Sequence, residues 1–274
     1  CKRVPEELIP YLGLLSTTLG LMDTEHFTYP ELSNEININC GGISSGASLY
    51  SDDKRIDEYS IYYEVKGKAL YEKIPFMLDM MNEMIFSTKF NEYKRLEEII
   101  RRVKSRLESS MTSSGHIVSY TYGTAQFSPT GYYSNKISGY DYYEFIDNLE
   151  KNFADIKEEI AANLAKCVKY IFTKDNLLVS CTADDNGFDE YFKKPMEEFA
   201  GRLNVSEEPV AVRGFKPSKV NKAFTSSSQV QYVARCGNFV EKGYKYTGAL
   251  RVLKIIFSYE YLWINVRVKG GAYG

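Results

Sequence analysis

The chain has 274 residues, enough to bury a sizeable core and to form one large or two medium domains. Its composition, 44% hydrophobic and 26% charged, is that of a globular protein, and a formal net charge of −2 gives no field that would gather nucleic acid or an anionic membrane surface. Five cysteines, odd in number and without a Cys-x-x-Cys pair, disfavour both a disulfide framework and a cysteine zinc knuckle and point to a reducing compartment.

In chain order, "PEELIPYLGLLSTTLGLM" sets Leu8, Leu12, Leu15, Leu19 and Met22 at spacings of four and three, which predicts a core-facing amphipathic helix from Glu6 to Met22. "NEININCGG" alternates Ile36, Ile38 and Cys40 with asparagines and predicts a half-buried strand, with "YSIYYEVKG" as its antiparallel neighbour. "IPFMLDMMNEMIF" and "RLEEIIRRVKSRLESSM" predict two helices, the second burying Ile100, Val103 and Leu107. Residues 114–150 are rich in Tyr, Ser and Gly and are expected to be helical in part. A helix follows in "LEKNFADIKEEIAANLAKCVKYIF", then a strand in "NLLVSCTAD". The helix in "FDEYFKKPMEEFAGRL" should be kinked or interrupted at Pro195.

Past residue 204 the composition changes, and 205–225 reads as a linker. Residues 226–274 then open a second domain, with a strand in "QVQYVARCGNF" and a long helix in "YTGALRVLKIIFSYEYLW". The expected fold class is α+β: a two-layer sandwich in residues 1–204, an antiparallel sheet with helices on one face, followed by the start of a second, similar domain. With no run of about 18 apolar residues, no membrane span is expected, and with no signal-peptide layout the protein is expected to be cytoplasmic. The start at Cys1 and the stop at "VRVKGGAYG" suggest cuts in a longer polypeptide.

Each candidate site has a bland competitor. "LMDTEHF" is one residue away from His-x-x-Glu-His, the inverted zinc-peptidase motif, with Met22 where the first histidine would stand. A thioether is a poor zinc ligand, and with His26 and His116 as the only histidines a three-ligand set cannot form around Glu25 and His26. His26 is therefore expected to be a surface or capping residue. His116 has no Ser, Cys or Asp at a diagnostic spacing, so it reads as a polar residue at a helix start. The basic run "RRVKSR" alternates with Glu97, Glu98 and Glu108, as on a solvated helix face, and carries no nucleic-acid signal. "VKGGAYG" lacks the spacing of a phosphate loop. What remains there is a helix end bearing Arg267 and Lys269, then glycines that turn the chain and present Tyr273.

"YLWINVRVKGGAYG", with "QVQYVARCGNF" and "LLSTTLGLMDTEHFTYPELSNEININCGGIS" upstream, resembles the C-terminal half of the insulinase (pitrilysin) family of zinc metallopeptidases, in its presequence-protease branch. The resemblance implies four related α+β domains, paired into two halves that close around an unfolded peptide, with residues 1–204 as the third and 226–274 as the start of the fourth. The N-terminal half of the same polypeptide would hold zinc, and this chain would hold no metal. It would contribute Arg267, which binds the peptide backbone, and Tyr273, which binds substrate and donates to the carbonyl oxygen as it becomes an oxyanion. The helix from Glu6 would correspond to the zinc helix, with its two histidine positions at Ser16 and Gly20, so that the motif reads "STTLG" without a ligand. The implied partners are the N-terminal catalytic half and an unstructured peptide, with neither nucleic acid nor membrane. A non-enzymatic relative acting as scaffold or peptide-binding subunit is the alternative.

Overall fold

A computed structural model describes residues 1–52, 58–225 and 229–272. The chain divides into two compact units, Cys1–Arg235 and Cys236–Gly274.

The first unit is built around its N-terminal helix. After a 3-10 turn at Glu6–Leu8, α1 runs Ile9–Thr18 with Pro10 in its first turn, where a missing N–H costs nothing. The expected stripe is buried in full: Leu8, Leu12, Leu15, Leu19 and Met22 all lie in the core. So do Ile9, Tyr11 and Leu14, so α1 is covered on most sides. At Gly13 a methyl group would run into the Ile137 carbonyl oxygen and the Tyr142 ring, so the absence of a side chain sets how closely α1 approaches the helices behind it.

The segment expected as a strand at "NEININC" is instead helix α2, Tyr29–Asn39. Glu31 accepts hydrogen bonds from the Thr28 N–H (2.9 Å) and hydroxyl (2.7 Å), and Pro30 sits in the first turn. These start signals outweigh a three-residue alternation, and the buried pair is Leu32 and Ile36, one turn apart, while Ile38 faces solvent.

The strand that does pair with "YSIYYEVKG" lies one segment later. β1 (Ile43–Ser51) and β2 (Tyr59–Gly67) form an antiparallel ladder from Ile43 opposite Gly67 to Ser51 opposite Tyr59. Leu49, Ile61, Ala47 and Tyr63 pack on the core, and the other face carries Ser48, Tyr50, Tyr62, Glu64 and Lys66. Glu64 accepts from Ser48 (2.8 Å), Tyr50 (2.5 Å) and Lys66 (2.6 Å).

Six more helices follow, α3 (Ile74–Phe86), α4 (Tyr93–Ser113), α5 (Gly115–Thr124), α6 (Pro129–Ser138), α7 (Tyr140–Lys151) and α8 (Phe153–Ile171); α4, α6, α7 and α8 pack on α1, α3 packs on α2, and α5 packs on α4 and α6. The Tyr/Ser/Gly-rich stretch is thus helical through most of its length. Helix α4 buries Ile100 and Val103 as expected, while Leu107 is only half-buried against the core. After the single turn α9 (Asp185–Gly187), residues Phe188–Phe192 wind as a π-helix and pass into α10 (Lys193–Gly201), so the expected interruption falls just before Pro195. A second core cluster joins Ile74, Met77, Leu78, Met81 and Ile85 of α3 to Phe199 and Leu203.

Neither "NLLVSCTAD" nor "QVQYVARCGNF" forms a strand: both are irregular, with no ladder partner among the described residues. Apolar alternation permits a strand, but a neighbouring edge is what makes one. The class is α+β, with a single two-stranded sheet among the described residues. Segments between 205 and 235 are tied to the first unit by backbone bonds from Ala211 to Lys2 (2.9 Å) and Ser218 to Gln126 (2.7 Å) and by the Tyr232 hydroxyl, which donates to the Thr112 carbonyl (3.2 Å). No described helix is long and apolar enough to cross a membrane.

Candidate functional site

The last unit carries the one described member of the expected substrate-binding pair. Helix α11 (Ala249–Ile256) continues into a π-helical stretch, Phe257–Lys269. Gly271, at φ +69°, then turns the chain in the left-handed region that glycine enters without strain. Its N–H donates to the Arg267 carbonyl (3.0 Å), and the Ala272 N–H donates to the Val266 carbonyl (3.1 Å), which satisfies two of the helix-end acceptors. The Arg267 guanidinium lies over the Trp263 ring, 5.1 Å from its centre, and the side chain is half-buried. Lys269 donates to Asn265 (3.4 Å). Tyr273 lies outside the described residues. The π-helical winding has no counterpart in the sequence pattern, which reads as an ordinary amphipathic helix.

At the positions expected to correspond to a zinc motif, α1 ends at Thr18 and Gly20 has a left-handed backbone, φ +82°. The Ser16 hydroxyl donates to the Leu12 carbonyl (2.7 Å). A hydroxyl already committed to its own helix and a residue with no side chain do not fit a zinc ion, which takes imidazole, thiolate or carboxylate. Among the described residues no three His, Cys, Asp or Glu side chains gather where they could hold a metal. Near Ser16 the Tyr63 hydroxyl donates to Ser45 (3.2 Å), and burial pushes its pKa well above the usual phenol value.

His26 lies in the turn between α1 and α2. Glu83 of α3 meets its ring Nδ1 at 3.0 Å and also accepts from its backbone N–H at 3.2 Å. The imidazole is largely exposed and the carboxylate is buried. Burial pushes the Glu83 pKa up, but hydrogen bonds from Thr24, from the His26 side chain and backbone and from Ser87 outweigh it, and the net shift is downward. This pair fastens a turn. Sequence reasoning missed Glu83, which stands 57 residues away with no local signal. His116 sits at the start of α5 with its ring 6.0 Å from that of Tyr232. The buried Cys167 offers no nucleophile, since burial holds its thiol at a pKa of about 12.

Two family models match the chain: the associated region of peptidase family M-16C over residues 1–149 and "PreP C-terminal domain" over residues 221–274. Protein HypA of Clostridium perfringens is 39% identical over 271 residues, covering 99% of this chain and 28% of that protein. Presequence protease 1, chloroplastic/mitochondrial, of Arabidopsis thaliana is 29% identical over 270 residues, covering 98% of this chain and 25% of that protein. The mitochondrial presequence protease of Saccharomyces cerevisiae is 25% identical over 285 residues, covering 99% of this chain and 28% of that protein. The chain therefore spans little more than a quarter of the length of these relatives. The mitochondrial and chloroplastic locations in the relatives' names overturn the cytoplasmic expectation, which rested only on the absence of a span and a signal peptide.

Proposed function

Because this chain belongs to the peptidase M-16C associated family, we propose that it is part of the metal-free C-terminal half of a zinc endopeptidase that degrades short unstructured peptides in a closed chamber. On this reading residues 1–204 are the third of four related layered α+β domains, 205–225 link, and 226–274 open the fourth. The zinc and the general base belong to the N-terminal half of the same polypeptide. The observation that carries the reading is the match over residues 221–274, a stretch that contains both Arg267 and Tyr273.

The chemistry assigned to this half is positioning and charge stabilisation. Arg267, a permanent cation, hydrogen-bonds the peptide backbone and fixes the scissile bond in register. Tyr273 donates its phenolic proton to the carbonyl oxygen as negative charge develops there. Neither residue is a metal ligand, and Ser16 and Gly20 offer none.

The test is direct. The purified chain is assayed for metal content and for cleavage of an unstructured peptide. The reading expects no stoichiometric zinc and no turnover. One zinc per chain, with turnover abolished by a chelator, overturns it.

A further inference from the structure

The basic residues of α4 divide between two environments. Arg95 pairs with Glu98 (3.1 Å) and Arg101 with Glu97 (2.6 Å), while Lys104 bridges Asp147 (2.8 Å) and Glu150 (2.9 Å) of α7. Arg102 and Arg106, one turn apart, meet no carboxylate among the described residues. They line a groove of about 650 Å³ between α4 and the end of α1, with Thr17 and Leu21 on the α1 side and Ser109 and Ser113 farther along α4. Close to Arg106, and under the influence of its charge, lies the hydroxyl of Tyr142, which is 2% exposed and has no hydrogen-bond partner among the described residues.

The groove is polarised along its length. Arg102 and Arg106, without a carboxylate partner among the described residues, stand at one end with Ser105 between them, and Ser109, Ser110 and Ser113 continue toward the other. The rise from Arg102 to Ser113 is about 16 Å, the length of about five residues of extended chain. A ligand matching that layout has a negative charge at its tip and an uncharged hydrogen-bonding backbone behind it. We propose that the groove holds the C-terminal carboxylate of a bound peptide, with Arg102 and Arg106 as its ligands and the serine hydroxyls meeting the backbone that precedes it. Guanidinium groups suit this role because their fixed forks match a carboxylate and stay charged at every physiological pH. The site rests on the reading of the protein as peptide-handling, and it flanks Ser16 and Gly20: where the end of α1 offers no donor for a metal, the groove beside it offers donors for an anion.

The test uses the intact chain and a fluorescent pentapeptide of uncharged residues in three forms: free acid, C-terminal amide, and amide with one internal aspartate. Binding is followed by anisotropy. The free acid is expected to bind about tenfold more tightly than the plain amide, and the advantage should shrink as salt is raised. In the Arg102→Gln/Arg106→Gln variant, whose changes are on the exposed surface and spare the fold, the advantage should vanish. Equal binding of acid and amide, or an advantage that survives the double substitution, overturns the site, and so does a gain of the same size from internal aspartate. Each of those results leaves the Tyr273 chemistry untouched, whereas loss of the Tyr273 effect with the acid preference intact would strike the peptidase reading alone.

Discussion

The two units place helices of similar apolar spacing in opposite environments. Helix α1 and helix α11 both carry apolar residues at helical spacing, yet Ile9, Leu12, Leu14 and Leu15 of α1 are buried, while no described residue of Cys236–Gly274 is. In the second unit Ile255, Ile256, Phe257 and Trp263 are all substantially exposed. The period of a sequence fixes which side of a helix is apolar, and packing partners fix whether that side contributes to stability.

Substitutions matched across the two units can break this contrast. Leu12→Ala, at a fully buried position, should cost about 3–5 kcal/mol in denaturant unfolding, through lost transfer energy plus the cavity left behind. A loss below about 1 kcal/mol would mean that the core of the first unit is not as packed as described. Next in size, Gly13→Ala should cost about 1–3 kcal/mol, because the new methyl collides with the Ile137 carbonyl and the Tyr142 ring. Gly248→Ala, with nothing within 4 Å, should be close to neutral in the same assay.

A smaller effect concerns acid. Hydrogen bonds from Lys66, then Tyr50 and Ser48, hold the Glu64 carboxyl at about 2, below its usual 4.5. A depressed carboxyl stabilises the fold above its unfolded pKa, and that contribution is lost as pH falls from about 4.5 through 2. The side chain keeps part of its contact with solvent, so Glu64→Gln should remove less than about 1 kcal/mol at neutral pH and flatten the unfolding midpoint between about pH 5 and 2. An unchanged acid profile would count against the Glu64 cluster. Smallest of all, Ile255→Ala in the second unit should shift stability by no more than about 0.5 kcal/mol. A loss rivalling that of Leu12→Ala would erase the distinction between the units.

Legibility in the sequence followed the physics of each element. Helices α1, α4 and α8 were readable because long amphipathic periods are local. The sheet was only half readable: "YSIYYEVKG" declared itself, but its partner β1, "ISSGASLYS", is rich in Ser and Gly and became a strand through pairing. "NEININC" misled because its Ile/Asn alternation was weighed without the capping signal upstream at Thr28 and Glu31. "NLLVSCTAD" and "QVQYVARCGNF" have strand composition but lack an edge to join. Of the candidate site, the resemblance named Arg267 and Tyr273 from one short motif. The setting of Arg102 and Arg106, which meet no carboxylate among the described residues, was invisible in "RRVKSR", since only the fold separates them from Arg101 and Lys104, which find carboxylates in Glu97 and across α7.

The central claim is that this half contributes a proton donor to a peptidase centre held elsewhere in the polypeptide. Its most direct test is steady-state peptide hydrolysis by the complete polypeptide carrying Tyr273→Phe. The account predicts a fall in kcat of roughly 10²-fold with KM little changed, as for the loss of one oxyanion donor. An unchanged kcat, or a change confined to KM, would contradict it.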